Sequence, residues 1–380
     1  MIPAPKSDRI SLADVFPSCV AALAGTTNRL QLPPVTRAVV LLVDGLGRDQ
    51  LRARGGHART LVGALDSRSV LDSGYPITTA AALATLTTGL KPGQHGLVGY
   101  TVLDAANDRV VNQLTGWDDR LDPATWQLAP TVFETAVEAG YRAAVIGAER
   151  YRSSGFTQAV LRGAEYLSAR SVEERLALAA EWLRAPGEPG LLYVYVPELD
   201  VAAHAKGWES DEWTSRLEML DGAVRDLVRS LRPTDGLLVT ADHGVLDVPE
   251  YAHVVIDEHP GLVDGIRFVA GDPRCLQLHF EPDLTAAERD GLVARWRDAE
   301  AGRAWVATRR EAIDANWFGE VLPVVEPRIG DLLVAARKNI AYYDSRFATV
   351  HGRSMVGQHG SWSPAEVRVP LLRFGGFTRS

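Results

Sequence analysis

The segment PELDVAAHAKG sets Asp200 and His204 four residues apart. On a helix, that spacing puts both side chains on one face, where a carboxylate and an imidazole can share a cation. Asp242 and His243 are adjacent, and the Gly244 after them lets the backbone bend sharply or approach a ligand closely. Asp44 closes the apolar run AVVLLV, and His359 sits in GQHGS. These six are three carboxylates and three imidazoles, with no thiolate among them. About three negative charges set against the four positive charges of two divalent ions favour one more anion, such as phosphate. Two ions ~3.5–4 Å apart are the usual clamp for phosphoryl transfer. Taken singly, each residue has an ordinary alternative. Asp44 also reads as a helix N-cap, and Glu198, two residues before Asp200, reads as a solvated or structural carboxylate.

Thr78 and Thr79 open the run ITTAAALATLTTG directly after Tyr75-Pro76. By itself this run reads as a helix of small residues packed close to a sheet, with a Thr oxygen accepting from an N–H of the first turn. With metal donors elsewhere in the chain it gains a second reading. A bound divalent cation favours the alkoxide of a threonine hydroxyl, and a helix start offers N–H groups and its dipole to phosphate oxygens.

Short apolar runs at 38–43, 143–148, 191–196 and 236–241 alternate with amphipathic stretches such as 130–140 and 211–231. The alternation predicts an α/β fold in three layers, a mostly parallel central sheet with helices on both faces. Ligands of such sheets bind beyond the carboxyl ends of the strands, where Asp44, Asp200, Asp242 and His243 all fall. From about 265 to 345 the texture changes to RCLQLHF, LTAAERDGLVARWRDAEAG, AWVAT and GDLLVAA. This predicts a small α+β cap inserted into a metal-binding core of residues 1–264 and 346–380. The 380 residues exceed the ~250–300 at which single cores stop growing.

In order and form, these segments resemble the alkaline phosphatase superfamily, most closely its type I phosphodiesterase and nucleotide pyrophosphatase branch. VVLLVDGLG is similar to the first metal strand of that family and YPITTAAALATLTTGLKPGQHG to its nucleophile segment. YVPELDVAAHAKG, VTADHG and GQHGS are similar to its later metal motifs. The resemblance implies an alkaline phosphatase-like fold and a nucleophile nine residues before the Thr of Thr88-Gly89, which is Thr79. It further implies that Asp200, His204 and His359 hold one zinc, while Asp44, Asp242, His243 and the Thr79 oxygen hold the other, with manganese as the alternative metal. His351, also followed by Gly, is the rival to His359. The chain departs from the family at Ala82, where phosphodiesterases of this branch usually carry an Asn that helps hold a phosphate oxygen.

The expected reaction is cleavage of phosphodiester or pyrophosphate bonds in nucleotide-like small molecules through a covalent phosphothreonine. A phosphomonoesterase or phosphonate hydrolase on the same site is the alternative, and an inactive, metal-stabilised binding protein is a more distant one. A net charge of −8 gives no electrostatic footprint for nucleic acid or an anionic membrane. The N-terminal stretch lacks a secretory pattern and no apolar run is long enough to span a bilayer, so a cytoplasmic location is expected. Cys19 and Cys275 stand far apart and predict no disulfide. His57, His95, His253, His259 and His279 are expected at surface or structural positions. Sequence leaves the oligomeric state open.

Overall fold

The strand Arg37–Val43 is buried at every position, as a near-continuous apolar run must be when both faces of a sheet are covered. It is the centre of a seven-stranded sheet in the order Val70–Asp72, Arg368–Gly375, Asp235–Thr240, Arg37–Val43, Gly190–Val196, Arg142–Gly147, Glu165–Ser168. The last five of these pair in parallel, and Arg368–Gly375 runs antiparallel to both of its neighbours. This is a computed structural model, and it describes residues 2–5, 9–67, 69–259, 261–346 and 350–378. Two groups of helices cover the sheet: Val15–Leu23 with Val132–Glu138 and Thr79–Thr88, and Val172–Arg184 with Asp211–Ser230. The mostly parallel α/β fold expected from the alternating runs is the one observed.

A second sheet of six antiparallel strands has the order Ala304–Thr308, Leu332–Ala336, Cys275–Phe280, Ile266–Asp272, Thr101–Asp104, Arg109–Asn112. Four of these strands come from the 265–345 segment, and the hairpin Thr101–Asn112 adds two from much earlier in the chain. The joint is narrow: Thr101 pairs with Gly271, and its hydroxyl donates to the Gly271 carbonyl at 3.0 Å. The helix Ala286–Ala299 covers this sheet, with Trp296 fully buried among Leu276, Leu278 and Val306.

The two sheets are tied beside the closing segment of the chain by a fully buried ion pair. Arg274 donates to both carboxylate oxygens of Glu366 at 2.7 and 2.9 Å and to the carbonyls of Lys338 and Ile340. Cys19 and Cys275 are both free and buried, and no disulfide forms.

Candidate metal and nucleophile centre

The strands Asp235–Thr240, Arg37–Val43 and Gly190–Val196 are neighbours and parallel, so the segments leaving their carboxyl ends converge on one place. Asp44 lies just past Arg37–Val43 and Asp242-His243 just past Asp235–Thr240, while Gly190–Val196 feeds the helix Glu198–Lys206 carrying Asp200 and His204. Gly45 holds φ at 74°, and a Cβ there would lie 3.0 Å from Asp200, so the turn after Asp44 needs its glycine. His359 comes directly after the two-residue strand Gly357–Gln358, which pairs with Leu246–Asp247 just beyond His243. Thr79 is the first residue of the helix Thr79–Thr88, which ends at Gly89 with φ 70°.

Four donors surround one point. His243 Nε2 lies 3.2 Å from Thr79 Oγ1, 3.3 Å from Asp242 Oδ2 and 3.6 Å from Asp44 Oδ1. Beside them, His204 Nε2 lies 3.1 Å from Asp200 Oδ2, and the His359 ring stacks on His243 with centroids 3.7 Å apart. One donor atom from each of Asp44, Asp242 and His243 fits within a 4.8 Å span, and so does one from each of Asp200, His243 and His359. His204 stays outside that tight second set, reaching it through Asp200.

The imidazoles share one arrangement. Nδ1 faces a backbone carbonyl in each: Gly357 for His204 at 2.7 Å, Ile77 for His359 at 2.8 Å and Gly244 for His243 at 3.3 Å. An Nδ1–H donated to a carbonyl turns the Nε2 lone pair toward the centre, as metal-ligating histidines require. The carboxylates complement them, for Asp44 Oδ1, Asp200 Oδ1 and Asp242 Oδ2 are buried without any hydrogen-bond partner. Orphaned buried carboxylate oxygens are costly unless a cation meets them, and none of the three pairs with a lysine or arginine among the described residues. The donor set fits divalent metal ions.

Electrostatics report the same crowding. Burial, then Asp242 and Asp200, push the Asp44 carboxyl well above its ordinary range, while burial and Asp200 raise Asp242 to about 6. Burial alone would raise Asp200, but His204, His243 and His359 outweigh it and hold the group below the usual value. Burial alone would lower His204, and Asp200 instead lifts it to about 9. His243 and His359 are depressed to about 4 and about 3, chiefly by burial.

Three residues of this centre escaped the sequence reading. Tyr195 donates its hydroxyl to Asp44 Oδ2 at 2.5 Å; its signal was a phenol inside a buried apolar strand, where the O–H needs a partner. Arg175, nearly fully buried, pairs with Glu198 and so fixes that carboxylate in a structural role. Asp272, from the second sheet, is buried, a Cβ on Gly360 would lie 2.9 Å from its own Cβ, and burial raises its carboxyl to about 8. Thr78 occupies the N-cap position, yet its side chain caps nothing, contrary to the simple reading of the run. Ala82 is buried one turn into the helix. His95 is structural, bonded to Thr85 and the Leu97 N–H, and His57 is exposed beside Glu218. The side chain of His351 lies outside the described residues.

A family model described as type I phosphodiesterase/nucleotide pyrophosphatase matches residues 38–362, which include every donor named above. The chain belongs to the type I phosphodiesterase/nucleotide pyrophosphatase family. Venom phosphodiesterase 2 of Crotalus adamanteus is 25% identical over 255 residues, 64% of this chain and 30% of the venom protein. An uncharacterized pyrophosphatase/phosphodiesterase of Schizosaccharomyces pombe is likewise 25% identical, over 64% of this chain and 51% of its own. The match thus spans only about a third to a half of the length of these relatives. Among solved structures, murine ectonucleotide pyrophosphatase/phosphodiesterase 5 in complex with AMP is similar with a TM-score of 0.69 at 16% identity, covering 90% of this chain and 88% of that one. Phosphonoacetate hydrolase from Sinorhizobium meliloti 1021 in complex with phosphonoformate has a TM-score of 0.68 at 20% identity, over 90% and 91% of the two chains. At these identities the structural likeness establishes the fold. No helix among the described residues is long and apolar enough to cross a membrane. The expected cytoplasmic location finds no support in relatives named as venom and ectonucleotide enzymes.

Proposed function

We propose that this chain is a two-metal hydrolase that cleaves phosphodiester or pyrophosphate bonds of nucleotide-like small molecules through Thr79. One observation carries the reading: three imidazoles whose Nδ1 atoms face backbone carbonyls and three carboxylate oxygens buried without a hydrogen-bond partner gather beside the Thr79 hydroxyl. Asp44, Asp242, His243 and Thr79 would hold one ion and Asp200, His204 and His359 the other, zinc being favoured by the imidazole share and manganese the alternative. When bound, such ions lower the pKa of a coordinated hydroxyl and neutralise charge on the phosphoryl oxygens.

The residues of the chain do the rest. Thr79 gives its proton to solvent, its Oγ1 attacks phosphorus, and the bond from phosphorus to the leaving oxygen breaks, leaving a phosphothreonine and a departing alcohol or phosphate that takes up a proton from solvent. Water then attacks the same phosphorus from the vacated side, the bond from phosphorus to Oγ1 breaks, the phosphate product leaves, and Oγ1 takes up the proton that the water gives up. The first-turn N–H groups of the helix Thr79–Thr88 face the phosphoryl oxygens, which suits an anion at a helix start.

The absence of any lysine or arginine paired to the cluster among the described residues supports a singly charged diester over a dianionic monoester. A panel of chromogenic diester, monoester and phosphonate substrates on zinc- and manganese-loaded protein tests this. The bis-aryl phosphate should be hydrolysed faster than the aryl monoester, and Ala82→Asn should leave diester turnover equal or improved. A preference for the monoester that Ala82→Asn depresses would replace the diesterase reading with a monoesterase. A preference for the phosphonate would move it to phosphonate hydrolysis.

A further inference from the structure

Asp44 and Asp242 leave the ends of neighbouring strands, and each is held by the protein through only one of its carboxylate oxygens. Asp242 Oδ1 accepts the N–H groups of Gly45 and His243 at 3.1 and 2.9 Å, and Oδ2 has no partner. Asp44 Oδ2 accepts the Tyr195 hydroxyl at 2.5 Å, and Oδ1 is left without a hydrogen bond, 3.6 Å from His243 Nε2. Backbone groups thus hold one carboxylate, whereas a single side chain holds the other.

The strand register explains why Tyr195 reaches Asp44. Leu42 pairs with Tyr195 and Val43 with Val196, and the ladder runs one residue further because the Asp44 N–H donates to the Val196 carbonyl at 2.9 Å. Tyr193 and Tyr195, two residues apart, share one face of the sheet. Their rings stack with centroids 6.4 Å apart, and Tyr151 meets the Tyr195 ring edge-on at 6.1 Å. Packing on two sides therefore aims the phenol. Being within the sheet does not by itself demand the bond, for the Tyr193 hydroxyl is buried with no hydrogen-bond partner among the described residues.

A carboxylate can bind a cation through one oxygen or through both. Zinc is content with four ligands, whereas manganese favours six and prefers oxygen. We propose that Tyr195 is a positioning residue that confines Asp44 to one-oxygen coordination and so biases the centre toward zinc over manganese. The inference rests on the two-metal centre proposed above and supplies it with a basis for metal choice.

The test compares wild type, Tyr195→Phe and Tyr193→Phe, each titrated with zinc and with manganese against a competing chelator and, separately, loaded with cobalt. Tetrahedral cobalt absorbs visible light far more strongly than five- or six-coordinate cobalt, so its spectrum reports the number of ligands directly. In Tyr195→Phe the freed Oδ2 can join Oδ1 on the ion. One of the two zinc-binding steps should weaken about tenfold, the usual effect of losing a partner of a metal ligand. Manganese binding should stay within about twofold of wild type, so that the preference for zinc falls about tenfold, and the cobalt absorption should weaken. Tyr193→Phe removes a hydroxyl from the same aromatic stack without touching Asp44, and it should match wild type in all three measurements. The proposal fails if Tyr195→Phe keeps the zinc preference and cobalt spectrum of wild type. It fails equally if zinc and manganese weaken alike with the cobalt absorption unchanged, or if Tyr193→Phe shifts the metals as Tyr195→Phe does. A wild-type protein that takes up neither zinc nor manganese counts instead against the metal centre and the function proposed for it.

Discussion

Thr79 is distinguished from Thr78 by its surroundings: the Thr79 Oγ1 lies 3.2 Å from His243 Nε2, whereas the Thr78 side chain makes no bond to the helix that it precedes. Thr79→Ala should therefore lower diester turnover by roughly 10⁴-fold or more while zinc content and unfolding temperature stay close to wild type, since the change removes the attacking atom and little packing. Trapping of phosphate on Thr79 by acid quench would identify the same atom directly. His359 is a separate case. Its ring lies against His243 and its Nδ1 is held by the Ile77 carbonyl, so loss of the imidazole empties one side of the cluster. His359→Ala should retain about one zinc per chain by elemental analysis where wild type retains about two. Two ions in that variant would return attention to His351. At this scale the sequence was informative where residue type alone decides: Asp, His and Thr beyond strand ends admit few chemistries. It was silent on Tyr195, Asp272 and Arg175, whose roles depend on which partner a buried polar group finds across the fold, and partners far apart in sequence leave no local pattern.

The elements that position the donors are joined by buried contacts, several of which meet at Glu366. Its carboxylate takes Arg274 and the Ser361 N–H, and its backbone carbonyl accepts from the Gly244 N–H. One residue thus anchors both the loop after His359 and the turn after His243. Arg274→Met leaves the Glu366 carboxylate buried without its cation, which should cost ~3–5 kcal/mol, read by denaturant unfolding, and should lower zinc occupancy as well. Unchanged stability would mean that water reaches Glu366 and the tie is dispensable. Four of the five parallel strands were legible as elements because runs buried on both faces are uniformly apolar, and their observed limits agree with the sequence reading to within one residue at each end. The pairing of Thr101–Asn112 with the 265–345 strands was not legible. Short half-buried strands carry little pattern, and the single Gly271–Thr101 pairing that recruits the hairpin is a long-range event.

For the molecule as a whole, metal and proton compete for the same donors. In the metal-free protein Asp242 is raised to about 6, Asp44 is raised well above its ordinary range and His204 reaches about 9, so protons must leave these groups as a cation takes their place. His243 and His359, lowered to about 4 and about 3, are already neutral above pH 5 and add nothing to this window. The raised groups make the metal-free fold relatively more stable at low pH, and that advantage disappears as pH rises through their folded values. Zinc should therefore increase the unfolding temperature little at pH 5 and progressively more up to pH 8, as mass action on the native state requires. Calorimetry of loaded and chelator-stripped protein at fixed free zinc checks this, and a gap that narrows with rising pH would exclude His204 and the carboxylates as ligands. The position of Arg368–Gly375 between Val70–Asp72 and Asp235–Thr240 bears on how the molecule is made. A ribosome delivers residues in order, and roughly 115 of them separate His243 from His359, on the order of ten seconds at ~5–20 residues per second. Throughout that interval the growing chain holds six of the seven donors, while one edge of Asp235–Thr240 presents unpaired N–H and C=O groups to whatever strand is nearby. Completion of the metal cluster and closure of that edge arrive within one short stretch of translation, so the chain is exposed to mispairing for as long as it is incompetent to bind its full complement of ions.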